Sequence, residues 1–328
     1  MEDSAKKVLI FGLSSFGHLN PIACLVSELI NRNYKVINYG EERCLVKIAH
    51  DYVPFMLNEI NIENPDLIIY DQYLLSVKYL QKILKKKSNT NKDLQPKKEL
   101  FDASFNFVGC CLSTEARATE LKDEKINILL NNFETINPNF GFIKPRIKLI
   151  YVSLGTIFYY DLSVFQRIIE GFSQLEKENF KMVIACGRVN LEKLNEMVSK
   201  GDYVIPDNIL LSEFAPQIEI LKRASLFITH AGMNSTSETI HFGVPVNCIP
   251  VKCDQPLCAF RFIDDLKLGV RLDPLEFTVN DIKDSMEKVL NDQTYLDRIL
   301  KMTKISRQYD GVKNGANIIE KLLDKNKF

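Results

Sequence analysis

The sequence predicts an α/β protein of two open-sheet domains. Three observations carry that expectation. The chain opens with an apolar run from Lys7 to Leu13, continues in a helical pattern, and returns to a short apolar run at about Lys35 to Asn38. Strand–helix–strand order of this kind begins an open parallel sheet. Residues 131–147 then hold Asn131, Asn132, Asn137, Pro138, Asn139, Gly141 and Pro145, the composition of a linker. Beyond it the strand and helix alternation starts afresh. The expected division is therefore 1–145, linker included, and 146–328, and the length of 328 residues suits two domains.

Each element has its own reason. Lys7 to Leu13 is apolar at nearly every position rather than at alternate ones, as in a parallel strand covered on both faces. Asn20 suits a helix N-cap and Pro21 the first helical position, so the first helix is expected to start there. Its apolar residues Ile22, Leu25, Val26 and Leu29 recur at helical spacing. Leu67 to Tyr70 is a second buried strand, entered through Asn64-Pro65-Asp66 and ending at Asp71. Residues 85–98 carry six lysines in fourteen positions, which read as a solvated loop rather than an anion-binding patch. Phe105 to Val108 is a further strand candidate. In the second half, strands are expected at Lys148 to Leu154, Met182 to Ala185, Leu226 to Thr229 and Val246 to Pro250. Helices are expected over 163–177, with Val164, Phe165, Ile168, Ile169, Phe172 and Leu175 on one face, and over 281–290.

Composition excludes several functions. Hydrophobic residues at 46% and charged residues at 26% allow a large core. Lys+Arg and Asp+Glu are both 42, so the basic excess of a nucleic-acid binder is missing, and no nucleic-acid partner is expected. No apolar run reaches the roughly 18 residues of a transmembrane helix. The charged start leads into an apolar stretch too short for a signal peptide. The eight cysteines form no CxxC pair and read as reduced thiols, so a cytoplasmic location is expected.

The chemistry concentrates in Thr229-His230-Ala231-Gly232-Met233-Asn234-Ser235-Thr236-Ser237-Glu238. A strand ends, a small-residue loop comes next, and a helix is expected to begin near Ser235. Free backbone N–H groups and the positive end of a helix dipole make such a loop a phosphate site. Gly232 lets the backbone approach an anion, and His230 can donate to a diphosphate oxygen. The bland reading makes Ser235 and Glu238 a capping box. Ser153-Leu154-Gly155-Thr156 ends another strand and can be a plain strand-to-helix turn; Asp254-Gln255-Pro256 alone is an ordinary loop. Gly12 and Gly17 have P-loop spacing, but the Lys and Ser/Thr of that motif are missing, as is GxGxxG.

Taken with Glu213-Phe214-Ala215-Pro216-Gln217 upstream and Gly243-Val244-Pro245 and Asp254-Gln255-Pro256 downstream, this segment resembles the donor-binding signature of the UDP-glycosyltransferase family, macrolide glycosyltransferases included. The resemblance implies a GT-B fold, two Rossmann-like domains facing each other across a cleft, with a UDP-sugar held mainly by the C-terminal one. It places Phe214, Ala215 and Gln217 by the nucleoside. Many members carry tryptophan where Phe214 stands, and this chain has none. It places His230, Gly232, Asn234 and Ser235 on the diphosphate, with Ser153 and Thr156 on the same side, Glu238 on the ribose, and Asp254 and Gln255 on the sugar hydroxyls. It makes His18 the general base and Asp71 the carboxylate that holds its imidazole. The implied reaction is an inverting transfer of a hexose to a hydroxyl of a small, lipophilic acceptor, with the UDP-sugar as co-substrate and neither cofactor nor metal.

One departure qualifies the resemblance. His18 and Asp71 stand closer in sequence than in the family, and the N-terminal half, which builds the acceptor side, is shortened. The acceptor side is open, remodelled or completed by another chain. Two further readings therefore stand beside the transferase. One is a catalytically weak UDP-sugar-binding protein or one subunit of a two-chain transferase; the other is a different GT-B enzyme, such as a sugar-nucleotide epimerase or a lipid-linked sugar transferase.

Overall fold

The computed structural model describes residues 6–13, 16–41, 62–63, 65–70, 88–89, 111–112, 124–133, 147–155 and 160–324. The chain divides into two compact units, 1–113 with 308–328, and 114–307.

The first unit is built on a parallel four-stranded sheet of order β2-β1-β3-β4. Its strands are β1 (Lys7–Leu13), β2 (Lys35–Glu41), β3 (Leu67–Tyr70) and β4 (Ser88–Asn89). Val8, Leu9 and Ile10 of β1 are fully buried, which explains why that run does not alternate. Helix α1 (Phe16–Asn31) starts four residues before the expected N-cap, so Asn20 and Pro21 lie inside it. Pro21 has no N–H for the Gly17 carbonyl, so one bond of the helical ladder is missing in its second turn. The pair Ser88–Asn89, within the lysine-rich tract expected to be a loop, pairs with Ile68 and Ile69 as a short parallel edge strand. The rest of that tract and Phe105 to Val108 lie outside the described residues.

The C-terminal helix, Gly311–Asp324, belongs to this first unit rather than to the segment 146–328 in which the sequence division placed it. Its Ala316, Ile319 and Leu323 share a core with Val8, Ile10, Leu29 and Leu67. Arg32 locks the packing, donating to Glu28 at 2.7 Å, Asn317 at 2.7 Å and Glu320 at 2.9 Å. The apolar stripe of this helix is legible in the sequence; the partner that it covers is not.

The second unit starts with α2 (Glu124–Asn131) and is a parallel six-stranded sheet of order β10-β9-β8-β5-β6-β7. The strands are β5 (Lys148–Ser153), β6 (Phe180–Ala185), β7 (Ile209–Ser212), β8 (Ala224–Thr229), β9 (Val246–Cys248) and β10 (Gly269–Arg271). The helices that connect and cover them are α3 (Leu162–Ser173), α4 (Arg188–Lys200), α5 (Gln217–Leu221), α6 (Met233–Phe242), α7 (Gln255–Phe260), α8 (Val279–Asn291) and α9 (Gln293–Ser306). Helix α3 stops at Ser173, four residues short of expectation, where the Gln174 N–H turns back to the Gly171 carbonyl. Its Phe165, Ile168, Ile169 and Phe172 share one core with Ile282, Met286 and Val289 of α8. Gly171 lets the two helices close: a Cβ there would stand 2.7 Å from Ile282 Cγ2. A capping box starts α8, with Thr278 accepting from the Asp281 N–H at 3.2 Å and Asp281 from the Thr278 N–H at 2.8 Å.

This strand order fixes where a ligand binds. From β5 the chain moves outward to β6 and β7, then returns to β8 on the other side and moves outward again. The crevice beyond the carboxyl ends of β5 and β8 is the topological switch point, where open α/β sheets take their ligands. No helix among the described residues is long and apolar enough to cross a membrane.

Candidate functional site

Strands β5 and β8 run side by side with Ser153 opposite Thr229. Both turn sharply at this end. Gly155 sits at φ +88°, and Ala231 adopts the left-handed region at φ +62°. The second turn is fastened from two sides. The Ala231 N–H donates to Thr229 Oγ1 at 3.3 Å, and the Ile249 N–H donates to the Thr229 carbonyl at 2.8 Å.

The His230 imidazole lies in a slot between the two turns. A Cβ on Gly155 would stand 2.9 Å from its Nε2, and one on Gly232 would overlap the same atom. Two missing side chains therefore make room for one ring. His230 Nδ1 is buried and has no hydrogen-bond partner among the described residues. Burial pushes the His230 pKa down, against the Asp254 charge and the Ser153 backbone, which push it up. Burial thus favours the neutral imidazole, which carries one N–H donor and one acceptor nitrogen.

Helix α6 begins at Met233 with Gly232 as N-cap, and no side chain caps it. Its first internal bond runs from the Thr236 N–H to the Gly232 carbonyl at 2.9 Å, so the N–H groups of Met233, Asn234 and Ser235 have no helical acceptor. Ser235 is thus the third helical residue rather than the cap, and the capping box with Glu238 does not form. Glu238 instead turns to a neighbouring helix. Gln217, first residue of α5, donates from Nε2 to Glu238 Oε2 and to Ser235 Oγ at 3.3 Å. Glu238 is 1% exposed, a carboxylate buried where a structural helix would carry an apolar residue.

The flanking loops complete the arrangement. Phe214 is 61% exposed although its ring is apolar, and the Ser212 hydroxyl fixes the turn that presents it by donating to the Phe214 carbonyl at 2.7 Å. Ala215 is half-buried in the same turn, as is Asn234 on the first turn of α6. Asp254 is the N-cap residue of α7 and feeds its charge to His230, so the two belong to one site. Gln255 is buried, and its Oε1 accepts from the Val251 N–H at 2.9 Å and the Lys252 N–H at 3.2 Å. That oxygen is committed to shaping the loop, and a ligand would meet the amide nitrogen.

The structure therefore assembles Ser153, Gln217, His230, Gly232, Asn234, Ser235, Glu238 and Asp254 at one end of the sheet. His18 stands on the first turn of α1, but its side chain lies outside the described residues, as do Thr156 and Asp71. Sequence reasoning missed the role of Gly155, whose signal was a glycine directly after a predicted strand.

Comparison with known proteins agrees with this geometry. Residues 186–310 match the family UDP-glucoronosyl and UDP-glucosyl transferase. Over those residues the chain is similar to UDP-glycosyltransferases. The matched residues span the strands and helices holding Gln217, His230, Glu238 and Asp254, whereas β5 with Ser153 lies upstream of them. The chain is 31% identical over 235 residues to the NDP-glycosyltransferase YjiC of Bacillus subtilis, covering 71% of this chain and 52% of YjiC. It thus spans about half the length of that relative. With YojK of Bacillus subtilis, an uncharacterized UDP-glucosyltransferase, it shares 24% identity over 403 aligned positions, 95% of this chain and 96% of the other. Against 328 residues here, 403 positions leave at least 75 without a counterpart. Among solved structures, the glycotransferase of kitacinnamycin superposes with a TM-score of 0.77 at 18% identity, over 97% of this chain and 99% of that one. The fold is GT-B, as the resemblance implied.

Proposed function

We propose that this chain transfers a hexose from a UDP-sugar to a hydroxyl group of a small, lipophilic acceptor, with inversion at the anomeric carbon and without a metal ion. The observation that carries the reading is His230, half-buried in its slot between Gly155 and Gly232, beside the start of α6 that no side chain caps. An imidazole N–H and free helix N–H groups form a cradle for a diphosphate, which is both the binding handle and the leaving group. Glu238, held by Gln217, is suited to accept from two ribose hydroxyls. Phe214 offers an exposed ring for the base, and Asp254 an acceptor for sugar hydroxyls.

In this scheme His18 takes the proton of the acceptor hydroxyl, whose oxygen bonds to the anomeric carbon as the bond to the diphosphate oxygen breaks. One displacement from the opposite face inverts the configuration. Asp71 orients the imidazole and stabilises its cation. Topology supports the pairing: His18 comes after β1, Asp71 comes after β3, and these strands are parallel neighbours with Phe11 opposite Tyr70. The leaving charge falls on His230 and the α6 N–H groups. The second reading is a donor-binding subunit whose acceptor side another chain completes, and the positions unmatched in YojK favour it.

UDP release from UDP-glucose, screened against phenols and sterols, separates the two. The transferase reading expects acceptor-dependent release that His18→Ala abolishes while UDP still binds. Undiminished release in the variant would remove His18 from the mechanism. UDP binding with no acceptor-dependent release would favour the subunit reading.

A further inference from the structure

We infer that Arg307 and Thr303 of the α9 end are positioning residues for the donor diphosphate, acting through the far end of α6; this rests on the donor site proposed above. Helix α6 has ten residues and is about 15 Å long, so its two ends face different neighbours. Its first turn meets the proposed diphosphate. Its last turn leaves carbonyls that need donors. The Thr239 carbonyl is satisfied locally, accepting from the Gly243 N–H at 2.9 Å and the Val244 N–H at 3.1 Å. The next two carbonyls are satisfied from α9. Thr303 Oγ1 donates to Ile240 O at 2.6 Å. Arg307 grips His241 O with both Nε at 3.1 Å and Nη2 at 2.8 Å.

This grip is specific in geometry and in charge. Two donors of one planar guanidinium on one carbonyl fix direction as well as distance, which a lysine cannot reproduce. The cation also sits at the negative end of the α6 dipole, opposite the end where a diphosphate would sit. Close packing removes slack: Gly243 turns at φ +71°, and a Cβ there would stand 2.9 Å from Leu300 Cδ2 and 3.1 Å from Thr303 Oγ1. Gly232 at the other end is equally tight against His230. A helix held so closely cannot slide along its axis without breaking the C-terminal bonds. The position of its first-turn N–H groups is therefore set in part by Arg307 and Thr303.

Arg307 is also the last residue of the second unit, after which the chain passes into the first. The donor helix is thus tied to the residue where the chain leaves its unit.

The test uses the full chain and three variants: Arg307→Ala, Arg307→Lys and Thr303→Val. UDP affinity is read by calorimetry well below each melting temperature, and amide exchange along α6 is read without ligand. Arg307→Ala is expected to weaken UDP binding, through lost placement of the first-turn N–H groups, with Arg307→Lys between it and wild type. In the unliganded protein it is expected to speed exchange at Thr236, in the first turn, as well as at Gly243 and Val244. Faster exchange confined to Gly243 and Val244, with UDP affinity unchanged, would overturn the inference and leave Arg307 a purely structural cap. If Arg307→Ala does not fold, the same two readings on Arg307→Lys and Thr303→Val decide. If wild type binds no UDP, the donor reading fails, and exchange at Thr236 still accepts or rejects the mechanical link.

Discussion

His230 is held by what its neighbours lack. Gly155 and Gly232 flank the imidazole, and either one, given a Cβ, would push the ring from its slot. This separates two glycines that look alike in backbone terms. Gly155 at φ +88° and Gly201 at φ +77° both occupy the left-handed region, but nothing lies within 4 Å of a Cβ on Gly201. Gly201→Ala is expected to cost only the backbone strain, about 1 kcal/mol, and to leave UDP binding intact. Gly155→Ala is expected to carry that strain and also to lose UDP affinity, because Nε2 must move. Parallel titration and thermal unfolding of both variants check this, and equal UDP affinities would contradict it. At this scale the sequence was informative for residues with chemistry. His230, Glu238 and Gln217 stand in a motif that can be read directly. Gly155 could not be read that way, since its contribution is empty space beside a residue 75 positions away.

Elements were legible where one local signal dominated. Strand β3 begins and ends as expected because four apolar residues are bounded by Asp66 and Asp71. Helix starts were harder, since two good cap signals can compete. Asn20-Pro21 has the right chemistry for a start, yet α1 begins at Phe16. Ser235 and Glu238 have capping-box spacing, yet α6 begins two residues earlier and turns both side chains to Gln217. The absent cap has a consequence. A side chain folded over the first turn would occupy the N–H groups that a diphosphate needs. A true box stands instead on α8, where its Thr278 and Asp281 close the helix end with their own side chains. The start of α8 is thus built for stability, and the start of α6 keeps its first-turn N–H groups open for an anion.

The whole molecule joins the two α/β units that the sequence predicts, but the chain crosses between them a second time near its end. The C-terminal helix packs on the first sheet through Ala316, Ile319 and Leu323. Periodicity alone announces such a face without saying which unit it covers. Two half-buried histidines give the fold a pH dependence. Burial holds His230 and His241 below the ordinary value of 6.5, and the Arg307 charge lowers His241 further. The unfolded chain therefore binds more protons than the native one as pH falls below 6.5, and the stability held above that point is lost progressively toward the native values. Asp281 and Asp292, held below 3.8, contribute the same sign only in stronger acid. Melting temperature is thus expected to fall between about pH 7 and 5, with a shallower slope in His230→Gln. An unchanged slope in that variant would show that His230 does not titrate below its ordinary value in the native protein.

The account turns on one site at the switch point of the second sheet. Calorimetric titration of the full chain with UDP, with ADP as control and Glu238→Ala alongside, tests it most directly. The account predicts that UDP binds, that ADP does not, and that Glu238→Ala binds UDP at least roughly tenfold more weakly, as loss of a hydrogen-bonding carboxylate implies. Equal binding of UDP and ADP, or UDP affinity unchanged in Glu238→Ala, would contradict it.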